Sequence, residues 1–213
     1  MLTLKPHDRI LFQGDSITDA FRIKDPNEPH DCYLLGAGYA GRVAGDLRAA
    51  HPELGLRFLN RGIAGQGVAE LLSRWTIDTI CLEPDVLSVL VGINDSAPGR
   101  DETAEQFEAS YRRLIEETTA ALPSIRLILL EPFLVPHGGQ VAERRSNLEA
   151  RQPIVRRLAE EAGVTFVPLQ EVFDKAVADH DVPPTHWTLD GIHPSSAGHV
   201  LIAEAWKAAV KVG

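Results

Sequence analysis

The stretch DRILFQGDSITD, residues 8–19, joins a short apolar run to a Gly-Asp-Ser turn. The run RILFQ (9–13) predicts a β-strand that ends at Gly14. A serine in such a turn usually caps the next helix, and a serine by itself is a poor nucleophile. Ser16 is therefore a catalytic candidate only if the chain also supplies a base, a group that orients the base and donors for an oxyanion.

Four more strand-like runs alternate with helical patterns along the chain. Several runs are continuously apolar, which is typical of strands covered on both faces. The alternation predicts an α/β fold, a parallel sheet with helices on both sides, whose polar turns open on one edge. The predicted strands are 9–13, 56–60, 85–91, 126–131 and 164–169, and the predicted helices are about 37–50, 67–82, 102–122, 141–162 and 196–211.

Length and charge limit the class of protein and its partners. The 213 residues fit a single domain over 1–213, and a net charge of −9 without basic clusters predicts no nucleic-acid and no membrane partner. The N-terminal residues lack the basic and apolar regions of a signal peptide. Cys32 and Cys81, the latter expected to be half-buried in a helix, read as reduced thiols. We therefore expect a cytoplasmic protein, with a homo-oligomer left open.

GAGYAG (36–41) matches the dinucleotide-binding pattern GxGxxG. That pattern needs a strand directly before it and an acidic residue about twenty positions later, and neither is present. The small residues of this region, Gly45 included, are better explained as a helix face that packs close to the sheet. The sequence thus predicts no nucleotide cofactor.

A second informative stretch is HWTLDGIHPSSAGHV (186–200). Asp190 and His193 are three residues apart in a predicted turn, so the carboxylate can accept from Nδ1–H of the imidazole. This leaves Nε2 free to take a proton from a serine hydroxyl. We predict that Ser16, His193 and Asp190 form a nucleophile, a base and an orienting acid.

Donors for a tetrahedral oxyanion complete the predicted site. The candidates are the backbone N–H of Ser16, the backbone N–H of Gly62 and the side-chain amide of Asn94. Asp15 is expected to shape the loop rather than to contact the substrate. His137 and Trp187 are candidates for substrate contact, Trp187 by stacking on a sugar face, whereas His199 is expected to be structural.

Four blocks of the sequence together resemble the SGNH (GDSL-type) hydrolases: GDS with Ser16, NRG with Gly62, GIND with Asn94, and DGIHP with Asp190 and His193. The resemblance implies a flavodoxin-like three-layer α/β/α fold with a five-stranded sheet and ester hydrolysis by a Ser-His-Asp triad. GDSITD, LGAGYAGRVAG, HPELGLRFLNRGIAGQ and DGIHPSSAGH are also similar to the serine acetylxylan esterases of this superfamily. This closer resemblance implies removal of acetyl groups from xylan-derived sugars.

The predicted activity is therefore hydrolysis of small acyl esters of carbohydrates, with an oligosaccharide or small-molecule ester as the partner and no metal or organic cofactor. Three alternatives stay open at this point. The first is a lysophospholipase or thioesterase of the same superfamily. The second is a metal-assisted phosphoesterase, and the third is a carbohydrate-binding domain with a vestigial triad. The phosphoesterase would use Asp15, Asn94, Asp95, Asp190 and His193 as ligands.

Overall fold

Five parallel strands form the central sheet of the computed structural model, which describes residues 1–138 and 141–213. Their order across the sheet is β3-β2-β4-β5-β6, so Phe12 of β2 lies between Asn60 of β3 and Ser88 of β4. Two short strands, β1 and β7, form a separate parallel pair. The strands are β1 (Leu2–Leu4), β2 (Arg9–Gly14), β3 (Arg57–Asn60), β4 (Val86–Leu90), β5 (Arg126–Leu130), β6 (Thr165–Val167) and β7 (Val210–Val212).

Helices cover both faces of the five-stranded sheet and make three layers. Every residue of β4 is buried, and because neighbouring side chains of a strand point to opposite faces, this burial requires cover on both sides. The predicted three-layer α/β/α fold with a five-stranded parallel sheet is confirmed. The α-helices of the described residues are α1 (Ser16–Asp19), α2 (Asp31–Leu35), α3 (Tyr39–Ala50), α4 (Val68–Ser73), α5 (Trp75–Asp78), α6 (Ala104–Ala121), α7 (Val141–Glu161), α8 (Leu169–Asp179) and α9 (Ser196–Ala208).

Each face of the sheet has its own apolar core, and a fully buried tryptophan in each core donates a hydrogen bond to a buried hydroxyl. Trp206 of α9 lies on the face that carries α3 and α8, and its indole N–H donates to Ser88 Oγ at 3.0 Å. Trp75 lies on the face of α4 and α6 and donates to Thr118 Oγ1 at 2.9 Å. The two bonds satisfy polar groups that would otherwise be costly inside these cores.

Several predicted element boundaries are wrong. The helix predicted over 67–82 is broken at Arg74, and its last turn is a 3-10 helix in which Cys81 is exposed rather than half-buried. The strand predicted to 169 ends before Pro168, which cannot donate to a sheet ladder, and the unpredicted helix α8 follows. The last predicted helix stops at Ala208, since Val210–Val212 pairs with β1.

The small residues of the GxGxxG region form the predicted packing face only in part. Ala40 and Ala44 of α3 are buried, as the predicted packing face requires. Gly45 is exposed, and a Cβ there would meet nothing within 4 Å, so it has no part in that face. A Cβ on Gly41 would lie 2.5 Å from the carbonyl oxygen of Gly36, so this glycine accommodates a backbone approach instead.

The topology points to the carboxyl end of β2 as the site. After β2 the chain builds β3 on one side of this strand and β4 on the other, which makes β2 the switch point where ligands collect in such sheets. Ser16 follows β2 directly. Among the helices described here, none is long and apolar enough to cross a bilayer.

Candidate active site

Ser16 is held in a sharp turn between β2 and the short helix α1. A Cβ on Gly14 would lie 2.2 Å from the carbonyl oxygen of Leu90, so the turn passes too close to β4 for any side chain. Asp15 Oδ1 accepts the N–H of Ile17 at 2.9 Å and caps α1. The serine hydroxyl is thereby presented at the edge of the sheet, as the sequence predicts.

A chain of hydrogen bonds joins Ser16 to His193 and Asp190. Ser16 Oγ lies 3.0 Å from His193 Nε2, and His193 Nδ1 lies 2.8 Å from Asp190 Oδ2. An ionised carboxylate only accepts, so Nδ1 carries the proton and Nε2 presents its lone pair to the serine hydroxyl. The structure brings the three predicted residues together in a nucleophile–base–acid geometry.

The charge on Asp190 is stabilised by its own turn. Partial burial favours the neutral acid, but it is outweighed by the backbone N–H of His193, the His193 ring and the backbone N–H of Ile192, and the pKa is lowered. The two backbone bonds to Oδ1 measure 2.8 Å and 3.0 Å. Asp190 is therefore the anion that an imidazolium at position 193 would require.

Gly62, predicted to donate its N–H to an oxyanion, donates it within the protein instead. This N–H donates to Asn60 Oδ1 at 2.8 Å, so it is already used. A Cβ on Gly62 would lie 2.5 Å from the backbone nitrogen of Asp19. The missing side chain makes room for the protein backbone and not for a substrate, so the prediction for Gly62 is wrong.

Gly65 is the residue of this loop that the sequence reasoning missed. It is exposed, has φ +81°, and a Cβ there would meet no atom within 4 Å. Its N–H has no partner among the described residues. The other N–H groups of the loop are all donated: Arg61 to Phe12 O, Gly62 to Asn60 Oδ1, Ile63 to Gly14 O, Ala64 to Asp19 Oδ2 and Gln66 to Ile63 O.

Asn94 and the backbone of Ser16 lie beside this loop. One N–H of the Asn94 amide donates to the carbonyl oxygen of Gln66 at 3.0 Å, which leaves the second N–H available. The N–H of Ser16 donates to none of the described residues. The second glycine of NRGIAG was the only signal for Gly65, and nothing in the sequence ranked it above Gly62.

Comparison with known proteins gives the family of this chain. The sequence profile of the GDSL-like lipase/acylhydrolase family matches residues 12–201. The chain belongs to that family. An acetylxylan esterase of Geobacillus stearothermophilus is 35% identical over 207 residues, which cover 93% of this chain and 92% of that protein.

Solved structures of this GDSL family share the fold over almost the whole chain. A protein of Parabacteroides merdae described as a GDSL-like lipase has a TM-score of 0.91 and 36% identity, with 97% of this chain and 96% of that chain covered. Axe2, an acetylxylan esterase of Geobacillus stearothermophilus, has a TM-score of 0.85 and 33% identity, with 96% and 94% covered. Two further Axe2 structures are of variants described as catalytic mutants, one changed at a serine and one at an aspartate. The chain is a carboxylic ester hydrolase of this family.

His137 contacts the loop that carries Asp190 and His193. His137 Nε2 lies 2.6 Å from Oγ1 of the buried Thr188, and a Cβ on Gly191 would lie 2.4 Å from the His137 carbonyl oxygen. The contact with substrate predicted for His137 stays a prediction, and the contact that the structure gives it is with this loop.

Trp187 is placed in the core rather than on an open surface. Only 7% of the residue is exposed, and its ring packs edge-on against His186 with centroids 4.7 Å apart. Its indole N–H is buried and has no partner among the described residues. No open ring face is offered to a sugar, so the predicted stacking is not supported by this geometry.

A cavity of about 630 Å³ opens beside Ser16 and His193. This volume lies within the range of small-molecule sites, and it is far larger than an acetyl group needs. Two exposed apolar side chains stand on its wall: Phe21, 99% exposed, and Leu189, 70% exposed. The remaining wall includes His199, Ala37 and the ion pair of Asp19 with Lys24.

The structure does not assemble the metal ligands of the phosphoesterase alternative. Asp15 and Asp95 are buried, and each gives an oxygen to a backbone N–H. Both oxygens of Asp190 are bonded within its own turn. In residues 1–138 and 141–213, no three His, Cys, Asp or Glu side chains are grouped to hold a metal ion.

Proposed function

We propose that this GDSL-family hydrolase removes acetyl groups from the hydroxyls of carbohydrates such as xylo-oligosaccharides, with Ser16, His193 and Asp190 as its triad. The observation that carries the proposal is the continuous hydrogen-bond chain from Ser16 Oγ through His193 to Asp190. The similarity to acetylxylan esterases supports the acetyl group and the sugar. Axe2 variants changed at a serine and at an aspartate are known as catalytic mutants, which supports two of the triad roles.

Acylation begins when His193 Nε2 takes the proton of Ser16 as Oγ attacks the ester carbonyl. The resulting imidazolium is stabilised by the Asp190 carboxylate, which stays ionised throughout. The carbonyl oxygen becomes an oxyanion, and the N–H groups of Ser16 and Gly65 and the Asn94 amide donate to it. The C–O bond to the alcohol then breaks, and the alcohol leaves with the proton from His193 Nε2.

Deacylation repeats these steps with water as the nucleophile. His193 takes a proton from the water, whose oxygen attacks the acetyl carbon of the acyl-enzyme. The same donors hold the second oxyanion, and Ser16 leaves with the proton returned by His193. Acetic acid is released and ionises in solution, and the starting protonation states of the enzyme are restored.

The variant Ser16→Ala tests the proposal directly. We expect the turnover of p-nitrophenyl acetate and of acetylated xylo-oligosaccharides to fall by about 10⁴-fold or more, because triad members act as a unit. The wild type should also gain the mass of one acetyl group on Ser16 in a rapidly quenched reaction. Ser16→Ala with full esterase turnover would overturn the assignment.

The apolar wall of the cavity favours a second candidate, an acylhydrolase for longer acyl chains. Phe21 and Leu189 are exposed next to the serine and could contact an alkyl chain as well as a sugar ring. A series of p-nitrophenyl esters from acetate to decanoate separates the two. The acetyl proposal expects kcat/KM to fall steadily with chain length, and an optimum at a long chain would favour the second candidate.

A further inference from the structure

His199 of α9, expected from the sequence to be structural, borders the same cavity as Ser16. One side of its ring contacts the first residues of α3. The backbone N–H of Tyr39 donates to His199 Nδ1 at 3.2 Å, and a Cβ on Gly38 would lie 2.9 Å from His199 Cε1. The glycine therefore leaves room for this ring, and the ring cannot turn without losing a backbone hydrogen bond.

The bond from Tyr39 determines which nitrogen of His199 carries the proton. A nitrogen that accepts an N–H has its lone pair in use, so the proton of the neutral ring must be on Nε2. Burial, with a smaller contribution from the nearby His193, lowers the pKa of His199 to about 4. The ring is thus a neutral donor at neutral pH, with its proton on Nε2.

No described residue accepts from His199 Nε2–H. Nε2 is not fully buried, so solvent from the cavity reaches it. A fixed donor that meets only water in the free enzyme is available for a ligand oxygen.

The chemistry of an acetate ester limits which oxygen this can be. The carbonyl oxygen is held by the oxyanion donors, and the ester oxygen receives its proton from His193. The acetyl group has no other oxygen. A further donor in the cavity can therefore serve only the alcohol part of the ester.

We propose that His199 is a specificity-determining residue, whose Nε2–H donates to a free hydroxyl beside the ester and so selects polyol and sugar acetates over acetates of simple alcohols. The inference rests on the proposed function, since it needs an ester bound at Ser16. One neutral hydrogen bond of this kind favours the ester with the hydroxyl over the ester without it by roughly tenfold in kcat/KM.

Two variants separate this role from a purely structural one. His199→Asn places an amide oxygen near the position of Nδ1, which keeps an acceptor for Tyr39 but removes the distal donor. His199→Gln reaches the position of Nε2 with its amide N–H₂ but gives up the acceptor. Circular dichroism melting curves show whether each variant folds as the wild type does.

The substrates are cyclohexyl acetate and 2-hydroxycyclohexyl acetate, which differ by the one hydroxyl. We expect the wild type to prefer the hydroxylated ester by about tenfold in kcat/KM. His199→Asn should lose this preference, while His199→Gln should keep part of it.

Two results would overturn the role of His199: an unchanged preference in His199→Asn, or a wild type with no preference at all. Both leave the proposed function standing as long as hydrolysis of p-nitrophenyl acetate depends on Ser16. If that hydrolysis does not depend on Ser16, the proposed function itself fails, and with it the basis for His199.

Discussion

Asp15, next to Ser16, and Asp190, close to His193, form the same local hydrogen-bonded turn. Each carboxylate accepts the backbone N–H of the residue two positions later, at 2.9 Å and 3.0 Å, and each lies within three residues of a proposed catalytic side chain. Their surroundings differ. Asp15 is fully buried beneath the turn that follows β2, whereas the Asp190 side chain is 51% exposed in a surface loop.

Burial gives the two carboxyls opposite pKa shifts. Removal from water raises the pKa of Asp15 to about 7, the Ile17 N–H opposes this rise, and the nearby charge of Asp95 adds to it. The pKa of Asp190 is lowered, since the donors of its turn and the His193 ring outweigh its partial burial. The same short motif therefore yields a structural group that resists ionisation and an anion that can orient a base.

The largest expected difference is in catalysis. Asp190→Asn should lower kcat for p-nitrophenyl acetate by about 10³–10⁴-fold, because an amide can hold His193 in the wrong tautomer. Asp15→Asn is the matched control, since an amide oxygen can still accept the Ile17 N–H, and kcat should change by less than about tenfold. Equal losses in both variants would contradict the division of roles between these aspartates.

The next difference is in the dependence of stability on pH. The folded protein keeps the Asp15 proton up to about pH 7, while the unfolded chain releases it near its ordinary pKa of 3.8. This carboxyl therefore makes the free energy of unfolding fall as the pH rises through that interval, by roughly 4 kcal/mol for a shift of this size.

Urea unfolding of the wild type and Asp15→Asn from pH 4.5 to pH 8 measures this contribution. The free-energy difference between them should change in favour of the variant as the pH rises, and a constant difference would contradict a buried, proton-retaining Asp15. For Asp190→Asn the same free-energy difference should change in favour of the variant as the pH falls. The lowered pKa of Asp190 stabilises the folded wild type at pH values above the pKa of this group in the unfolded chain, and this contribution is lost as the pH falls below it.

The smallest expected effect concerns how each aspartate is supported. The Asp15 turn rests on the sheet, whereas the Asp190 loop depends on the 2.6 Å contact between His137 and Thr188. His137→Ala should lower kcat by about tenfold with little change in KM, and His137→Gln, which keeps a polar atom near Nε2, should lower it less. A rise in KM confined to sugar esters, with kcat unchanged, would instead support the substrate contact predicted for His137.

Two parts of the site were predictable, one from local spacing and one from the residue types that a nucleophilic serine requires. The spacing of Asp190 and His193 predicts a turn that bonds the carboxylate to the ring, and that bond is present at 2.8 Å. The contact of Ser16 with His193, 177 residues away, was predicted because a nucleophilic serine needs a base and His193 has an orienting acid beside it.

The errors at the site concern which hydrogen-bond partners individual atoms find once the chain has folded. Gly62 and Gly65 are both small residues in one loop. The Gly62 N–H donates to Asn60 Oδ1 and the backbone of Asp19 lies close to Gly62, whereas the Gly65 N–H has no partner among the described residues. His199 looked like an ordinary helical histidine until Tyr39, 160 residues away, was placed on its Nδ1.

The sequence by itself determined the parallel α/β layering, the Ser16–His193–Asp190 set and the resemblance to SGNH hydrolases. Periodicity, residue type and local spacing carry that information, because strands, turns and short hydrogen-bonded loops are built from neighbouring residues. Tertiary structure alone decided which N–H groups are unpaired, which carboxyl is neutral and which ring faces the cavity. These properties depend on desolvation and on hydrogen-bond partners from distant segments, and neither exists before the chain has packed.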